Sequence, residues 1–300
     1  MRPDTALPPS GSVAVWLAAA RPRTLAASVA PVLIGTAMAF GDGALHGPAA
    51  LTAFVCAVLI QVATNLANDL FDFEKGADTE SRLGPMRVTQ AGLVSPGTMR
   101  RGIAAVLALT VMCGLYLVWR GGWPVLLIGL VSIAAGMLYT GGPRPLGYMG
   151  LGDLLVLVFF GPVAVAGTYY VQALTVTPAV IAAGLGPGLI SVAMLAVNNL
   201  RDTEEDRRAG KKTLAVRFGR NFARAEYISA VVAACLLPLL LHLASDGHPW
   251  SLAGCLTLFA ALPVFRRLLA CEGAALNPVL ARTAGLLVIY SALFSIGWVL

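Results

Sequence analysis

Nine apolar runs, each near the roughly 20 residues that an α-helix needs to cross the hydrocarbon core of a bilayer, divide this chain. They fall at about 24–41, 49–68, 101–119, 123–140, 151–171, 178–198, 225–243, 250–268 and 280–299, separated by Gly, Pro and charged residues. Lipid offers no hydrogen bonds to a backbone, so such runs must be helices that satisfy their own polar groups. The alternating pattern of β-barrel strands is missing. Only 12% of residues are charged and 58% are hydrophobic, against roughly 25% charged in soluble domains. The expectation is an all-α polytopic membrane protein of nine transmembrane helices. Residues 1–12, polar and Pro-rich, read as a disordered tail, and 13–300 as one domain.

Lys and Arg set the orientation, because they accumulate on the cytoplasmic side of a membrane protein. With the N-terminus in the cytoplasm, 20 of the 21 basic residues fall in inner segments or at inner helix ends, and only Arg120 falls outside. The expected location is the cell membrane, with the functional side in the cytoplasm. The net charge of +6 follows from that topology and from anionic lipid, and nucleic acid is not expected as a partner. No Cys-x-x-Cys spacing occurs, and His46, His242 and His248 all fall on the outer side. A cytoplasmic metal site must therefore use oxygen ligands, which favours Mg²⁺ over Zn²⁺.

One pattern appears twice. Asn68-Asp69-Leu70-Phe71-Asp72 and Asn198-Asn199-Leu200-Arg201-Asp202 each end an apolar run, 130 positions apart, and further acids follow both. Nine of the fifteen acidic residues lie in these two patches. Carboxylates at a membrane are costly and usually functional. The repeat divides the chain into two similar four-helix halves plus a ninth helix, with cap loops at 69–100 and 199–224. Repeats of this kind commonly place a site between the halves. On a continuous helix, Asn68 and Asp72 share a face, as do Asn198, Asp202 and Asp206. Gly76 is where the first helix should end. Two facing stripes make a ring of carboxylates and amides. Mg²⁺ takes one or two carboxylates plus waters and substrate phosphate, so the implied ligand is a diphosphate. Lys211, Arg21 and Arg23 are the better candidates for its contacts, with Arg201 interleaved in the second motif. Tyr139 either lines the pocket or anchors the membrane interface.

These stretches resemble the UbiA superfamily of intramembrane prenyltransferases. The resemblance rests on Ala20-Arg21-Pro22-Arg23-Thr24-Leu25, on the two motifs, on Lys75-Gly76-Ala77-Asp78, on Tyr139-Thr140-Gly141-Gly142-Pro143 and on Gly210-Lys211-Lys212-Thr213-Leu214. The superfamily's general form, Asn-Asp-x-x-Asp-x-x-x-Asp, would put a third acid at position 76, which is Gly; Asp78 stands two residues later, and the matching position 210 of the second motif is also Gly. The resemblance is to the naphthoate branch in particular. It implies a polyprenyl diphosphate donor and 1,4-dihydroxy-2-naphthoate as acceptor, in menaquinone biosynthesis. It also implies Mg²⁺ held by Asn68, Asp72, Asp78, Asn198, Asp202 and Asp206. Arg21, Arg23, Arg144, Arg201 and Lys211 would neutralise the diphosphate, and Asp69 would orient or deprotonate a ring hydroxyl. Another aromatic acceptor and a divalent-cation transporter are the competing readings.

Overall fold

The computed structural model describes residues 9, 11–77, 83–244 and 247–300, and every regular element among them is helical. The helices are α1 (Val13–Ala20), α2 (Ala26–Gly41), α3 (Gly47–Glu74), α4 (Pro96–Gly121), α5 (Trp123–Thr140), α6 (Gly152–Phe159), α7 (Pro162–Ala173), α8 (Pro178–Ala183), α9 (Leu185–Arg201), α10 (Thr203–Arg208), α11 (Leu214–Phe218), α12 (Arg220–Ala244), α13 (Thr257–Ala270) and α14 (Asn277–Val299). Short 3₁₀ turns at Pro22–Thr24, Pro249–Leu256 and Gly273–Leu276 precede α2, α13 and α14. Among the described residues, eight helical stretches are long and apolar enough to cross a membrane, and α1 with α2, bent by 55°, adds a ninth if counted as one span. The nine apolar runs are therefore all found, and the protein is a multi-pass membrane protein.

Two boundaries matter for the site. The apolar run ending near residue 68 underestimates α3, which continues to Glu74 and carries the whole first motif on a regular helix. Gly76 then turns at φ 64, a conformation that a Cβ disfavours, and Ala77 N–H returns to the Asp72 carbonyl. The second motif is split differently. α9 stops at Arg201 and α10 begins at Thr203, yet Asp202 N–H bonds the Asn198 carbonyl and Asp206 N–H bonds the Asp202 carbonyl. The i to i−4 ladder thus crosses the break, and the stripe Asn198, Asp202, Asp206 is preserved.

The two halves share a packing pattern. α3 lies along α4, and α9 lies along α12, so the second and third spans of each half pair in the same way. α14 lies against both α2 and α9 and joins the halves. Lipid tails are as apolar as side chains, so close packing, rather than exclusion of water, holds such helices together. Gly186 of α9 illustrates this: a Cβ there would sit 2.1 Å from Tyr290 Oη of α14. At the end away from the acidic motifs, Trp119 and Trp123 flank the α4–α5 turn and are largely exposed, as interface aromatics are. Arg120, the cation expected on the outer side, donates to the carbonyls of Val171 (2.6 Å) and Gln172 (2.9 Å). It satisfies the open carbonyls that end α7.

Candidate functional site

A cavity of about 550 Å³ runs between α3, α4, α5, α7 and α9. Along most of its length the walls are Ala, Val, Ile, Leu and Gly; at one end Asn68, Asp72, Asn198, Asp202, Asp206 and Lys211 line it together. The two motifs, 130 residues apart in sequence, thus share one chamber.

Asp72 is the most elaborately held of these groups. It lies in the last turn of α3, only 2% exposed. Arg87 Nη2 donates to its Oδ2 (2.9 Å), and Tyr148 Oη donates to its Oδ1 (2.8 Å). Lys211 Nζ stands 3.7 Å from the same Oδ1 and 3.6 Å from Asp206 Oδ1, so one ammonium bridges the two motifs. The Tyr148 ring lies beneath two cations, Lys211 Nζ at 4.9 Å and Lys75 Nζ at 5.2 Å from its centroid. Ring quadrupoles attract cations at such distances. Lys75 also donates to the carbonyls of Thr140 and Gly142, and Thr140 Oγ1 donates to Asn68 Oδ1 at 2.7 Å. Burial lowers the Lys75 pKa from its ordinary value, opposed by Asp72 and reinforced by Lys211.

The second motif is held locally. Arg201 closes a bidentate pair on its neighbour Asp202, with Nε–Oδ1 and Nη2–Oδ2 both at 2.6 Å. Its remaining nitrogen, Nη1, donates to Asn277 Oδ1 at 2.8 Å. Asp206 is pushed up to about 6, first by burial and then by the charges of Asp202 and Asp72, with Lys211 opposing.

The expected residues divide into three groups. Asn68, Asp72, Asn198, Asp202, Asp206, Arg21, Tyr139, Arg201 and Lys211 all line the cavity. Asp69, Arg23 and Arg144 do not. Asp69 points into the protein, 1% exposed, and its two oxygens accept from the backbone N–H groups of Val88 (3.1 Å) and Thr89 (3.0 Å). It anchors the segment after the first motif and is turned away from any ring in the chamber. Arg23 and Arg144 are exposed. Asp78 lies outside the described residues. Two contributors were not singled out from the sequence, Tyr148 and Arg87. Both are brought to Asp72 from other segments, so no spacing marks them; the aromatic between Gly147 and Gly150 in a polar loop was the only local signal.

Tyr139 packs against Gly147 and Gly152, where an added Cβ would meet its ring at 3.0 Å and its hydroxyl at 2.8 Å. It is thus a wall of the cavity at the polar end. Arg21 reaches the chamber because the chain breaks there: Arg21 adopts φ 52 and ψ 70, and Pro22 starts the next turn. A non-glycine residue in this conformation costs of order 1–2 kcal/mol, and here it turns the guanidinium inward.

Known proteins resemble this chain over most of its length. The model of the UbiA prenyltransferase family matches residues 28–295. A 1,4-dihydroxy-2-naphthoate octaprenyltransferase of Escherichia coli is 37% identical over 292 residues, 94% of each chain. One of Mycobacterium tuberculosis is 41% identical over 257 residues, 84% of this chain and 87% of its own. Among solved structures, the apo UbiA homologue of Aeropyrum pernix has a TM-score of 0.71 at 17% identity, covering 92% of this chain and 98% of its own. The Archaeoglobus fulgidus homologue bound to DMAPP and Mg²⁺ has a TM-score of 0.63 at 18% identity, covering 94% and 99%. With fold, family model and close relatives in agreement, the chain belongs to the UbiA prenyltransferase family.

Proposed function

We propose that this protein transfers a polyprenyl group from polyprenyl diphosphate to 1,4-dihydroxy-2-naphthoate, releasing diphosphate and CO₂ and giving demethylmenaquinol, the reduced form of the demethylmenaquinone of menaquinone biosynthesis. The observation that carries the reading is the Lys211 ammonium between Asp72 and Asp206, at the polar end of an otherwise apolar cavity. Such a chamber fits a molecule with an anionic head and a long hydrocarbon tail. The naphthoate acceptor comes from the relatives' names.

The donor set fits Mg²⁺. The polar end offers only hard oxygen ligands, from Asp72, Asp202, Asp206, Asn68 and Asn198. Among the described residues no three His, Cys, Asp or Glu side chains converge on one point. Mg²⁺ suits a partial protein ligand set, because it completes its shell with water and substrate phosphate. Bound there, it supplies the positive charge that a departing diphosphate needs.

The chain's own residues do the rest. Lys211 and Arg21 face the head group with positive charge. Developing negative charge on the leaving oxygen is stabilised by such preplaced groups. The C1–O bond breaks, the ring carbon that bears the carboxylate bonds C1, and the carboxylate leaves as CO₂ while the pair of the broken C–C bond restores aromaticity. The apolar walls keep water from the allylic cation. Asp69, committed to two backbone N–H groups, acts in positioning. By the distribution of Lys and Arg, the polar end faces the cytoplasm. A cation transporter would place its acids at mid-membrane; Asp72 and Asp202 instead stand at helix ends.

The test is product formation in isolated membranes with Mg²⁺, a polyprenyl diphosphate, and either dihydroxynaphthoate or 4-hydroxybenzoate, with EDTA controls. The expected outcome is metal-dependent product from dihydroxynaphthoate. Product from hydroxybenzoate alone would retain the mechanism and discard the naphthoate acceptor.

A further inference from the structure

The segment that leaves the first motif is tied at both ends, once to each motif. At one end Asp69 accepts from Val88 and Thr89 N–H, and Arg87 pairs with Asp72. At the other end Leu83 N–H donates to Glu205 Oε1 of α10 at 3.1 Å. The Leu83 carbonyl accepts from Asn277 Nδ2 at 3.0 Å. Pro85, between the two anchors, and Arg87, at one of them, line the cavity.

Asn277 is the first residue of α14 and belongs to neither motif. Its amide has two faces, and its neighbours compel their orientation. A backbone carbonyl can only accept, so Leu83 takes the Nδ2 face. A guanidinium can only donate, so Arg201 takes the Oδ1 face, at 2.8 Å. The other two nitrogens of that guanidinium cover both oxygens of Asp202. A continuous chain therefore runs from Leu83 through Asn277 and Arg201 to Asp202. A metal ion that binds Asp202 competes with Arg201 for the same two oxygens and weakens the contacts it shares. Arg201, almost fully buried, then depends more heavily on Asn277, because a buried guanidinium that loses its partners is strongly disfavoured.

We propose that Asn277 is a positioning residue for the second acidic motif, which couples docking of the 83–89 segment to the availability of Asp202. The proposal rests on the metal–diphosphate reading of the site. With Leu83 seated, the amide is locked with its oxygen toward Arg201, which retains a neutral partner as Asp202 turns to the ligand. With Leu83 unseated, the amide loses its orienting contact and Arg201 stays closed on Asp202. Only a carboxamide supplies donor and acceptor together here. A carboxylate would repel the Leu83 carbonyl, and a leucine would meet neither partner.

Two measurements on the purified full chain test this. The first is amide hydrogen exchange in metal-free protein, compared for wild type and Asn277→Leu. Exchange at 83–86 should quicken about tenfold, while 87–91, held by Asp69, should stay within about twofold. The second is Mn²⁺ binding in the presence of inorganic pyrophosphate, read by electron paramagnetic resonance. Asn277→Leu should weaken it about tenfold, and Glu205→Ala should do likewise from the other anchor. Glu205→Gln keeps the acceptor for Leu83 and should restore wild-type binding. The double variant should be no worse than the weaker single, because both act through one contact. Mn²⁺ binding unchanged in Asn277→Leu, additive losses in the double variant, or unaltered exchange at 83–86 would each overturn the proposal. Absence of Mn²⁺ binding by wild type would remove the underlying reading and the proposal with it, whereas wild-type binding matched by Asn277→Leu removes the proposal alone.

Discussion

The two acidic motifs are near copies in sequence and are supported in opposite ways. Asp72 takes its partners from far along the chain: Arg87, Tyr148 and Lys211 arrive on three separate segments. Asp202 and Asp206 are met by Arg201 and Lys211, one and five positions away. The helices differ in the same sense. In the span carrying the second motif, 72% of the apolar window is buried inside the protein; for α3 the figure is 28%. A motif on a buried helix is fixed by its scaffold and needs only local partners. A motif on a helix that faces cavity and lipid must be fixed by loops that reach it. The duplicated pattern therefore does not imply duplicated support, and the first motif should be the more sensitive to changes elsewhere.

The largest effects fall on the acids themselves. Asp72→Ala and Asp202→Ala should each reduce turnover about a thousandfold or more, since each removes charge-organising ligands at the reacting centre. Both proteins should still insert and fold, checked by detergent extraction and size-exclusion chromatography. Near-normal activity in either would break the two-motif reading. Lys211→Met removes a cation shared by both motifs and should cost about a hundredfold. The loss should appear mainly as a raised KM for the prenyl diphosphate if the lysine grips the head group in the ground state.

Asp206 gives a pH test specific to the second motif. With its folded pKa raised to about 6, above its ordinary value, the metal-free fold binds this proton more tightly than the unfolded chain does. Its ionisation therefore lowers stability as pH rises from about 4 to about 6. Metal binding requires the ionised form. The half-saturating Mg²⁺ concentration should accordingly rise about tenfold per pH unit below 6, the slope for one displaced proton. Asp206→Asn should flatten that dependence, measured as Mg²⁺ titrations of activity between pH 5 and 7. An unchanged slope would assign the proton elsewhere.

How much of this was legible beforehand follows the same division. Spans are written in runs of apolar residues, and all nine runs are found; Gly76 ends α3 as its sequence position implied. Of the second motif's partners, Arg201 and Lys211 stood out in the sequence because they lie within it or just after, though as diphosphate contacts and not as partners of its acids. The first motif's did not, because tertiary approach, and not spacing, brings Tyr148 and Arg87 to Asp72. Asp69 was misleading for a related reason. A motif acid looks catalytic on paper, and only the fold reveals that its oxygens face the 88–89 backbone. Tyr148→Phe measures what was missed. It deletes the hydroxyl on Asp72 and keeps the ring beneath Lys75 and Lys211, so the loss should be modest, about fivefold in kcat/KM, because Arg87 and Lys211 still hold the carboxylate. Tyr148→Leu, which also removes the ring, should cost more, and equality of the two would show that the ring does nothing for the lysines.

The smallest effect is expected where charge alone pointed to function. Arg21, Arg23 and Arg144 looked alike in the sequence as cations beside a Pro at the head of a span or in a loop. Only Arg21 lines the chamber, and it does so because its own backbone takes the left-handed turn that swings it inward. Arg23, two residues on, is exposed and does not line the chamber, and the same holds for Arg144. Exposed cations beside a membrane act mainly on orientation and on anionic lipid, so Arg23→Gln and Arg144→Gln should leave kcat/KM within about twofold of wild type. Arg21→Gln should instead raise KM for the prenyl diphosphate by about tenfold, as loss of one charged contact to a head group does. The contrast is read most cleanly in one assay series at low and high salt. A defect in Arg23→Gln or Arg144→Gln that disappears at high ionic strength would mark a screened, long-range effect. A defect that persists would mean that these side chains reach the head group when substrate is bound, and the boundary of the site would have to be redrawn to include them.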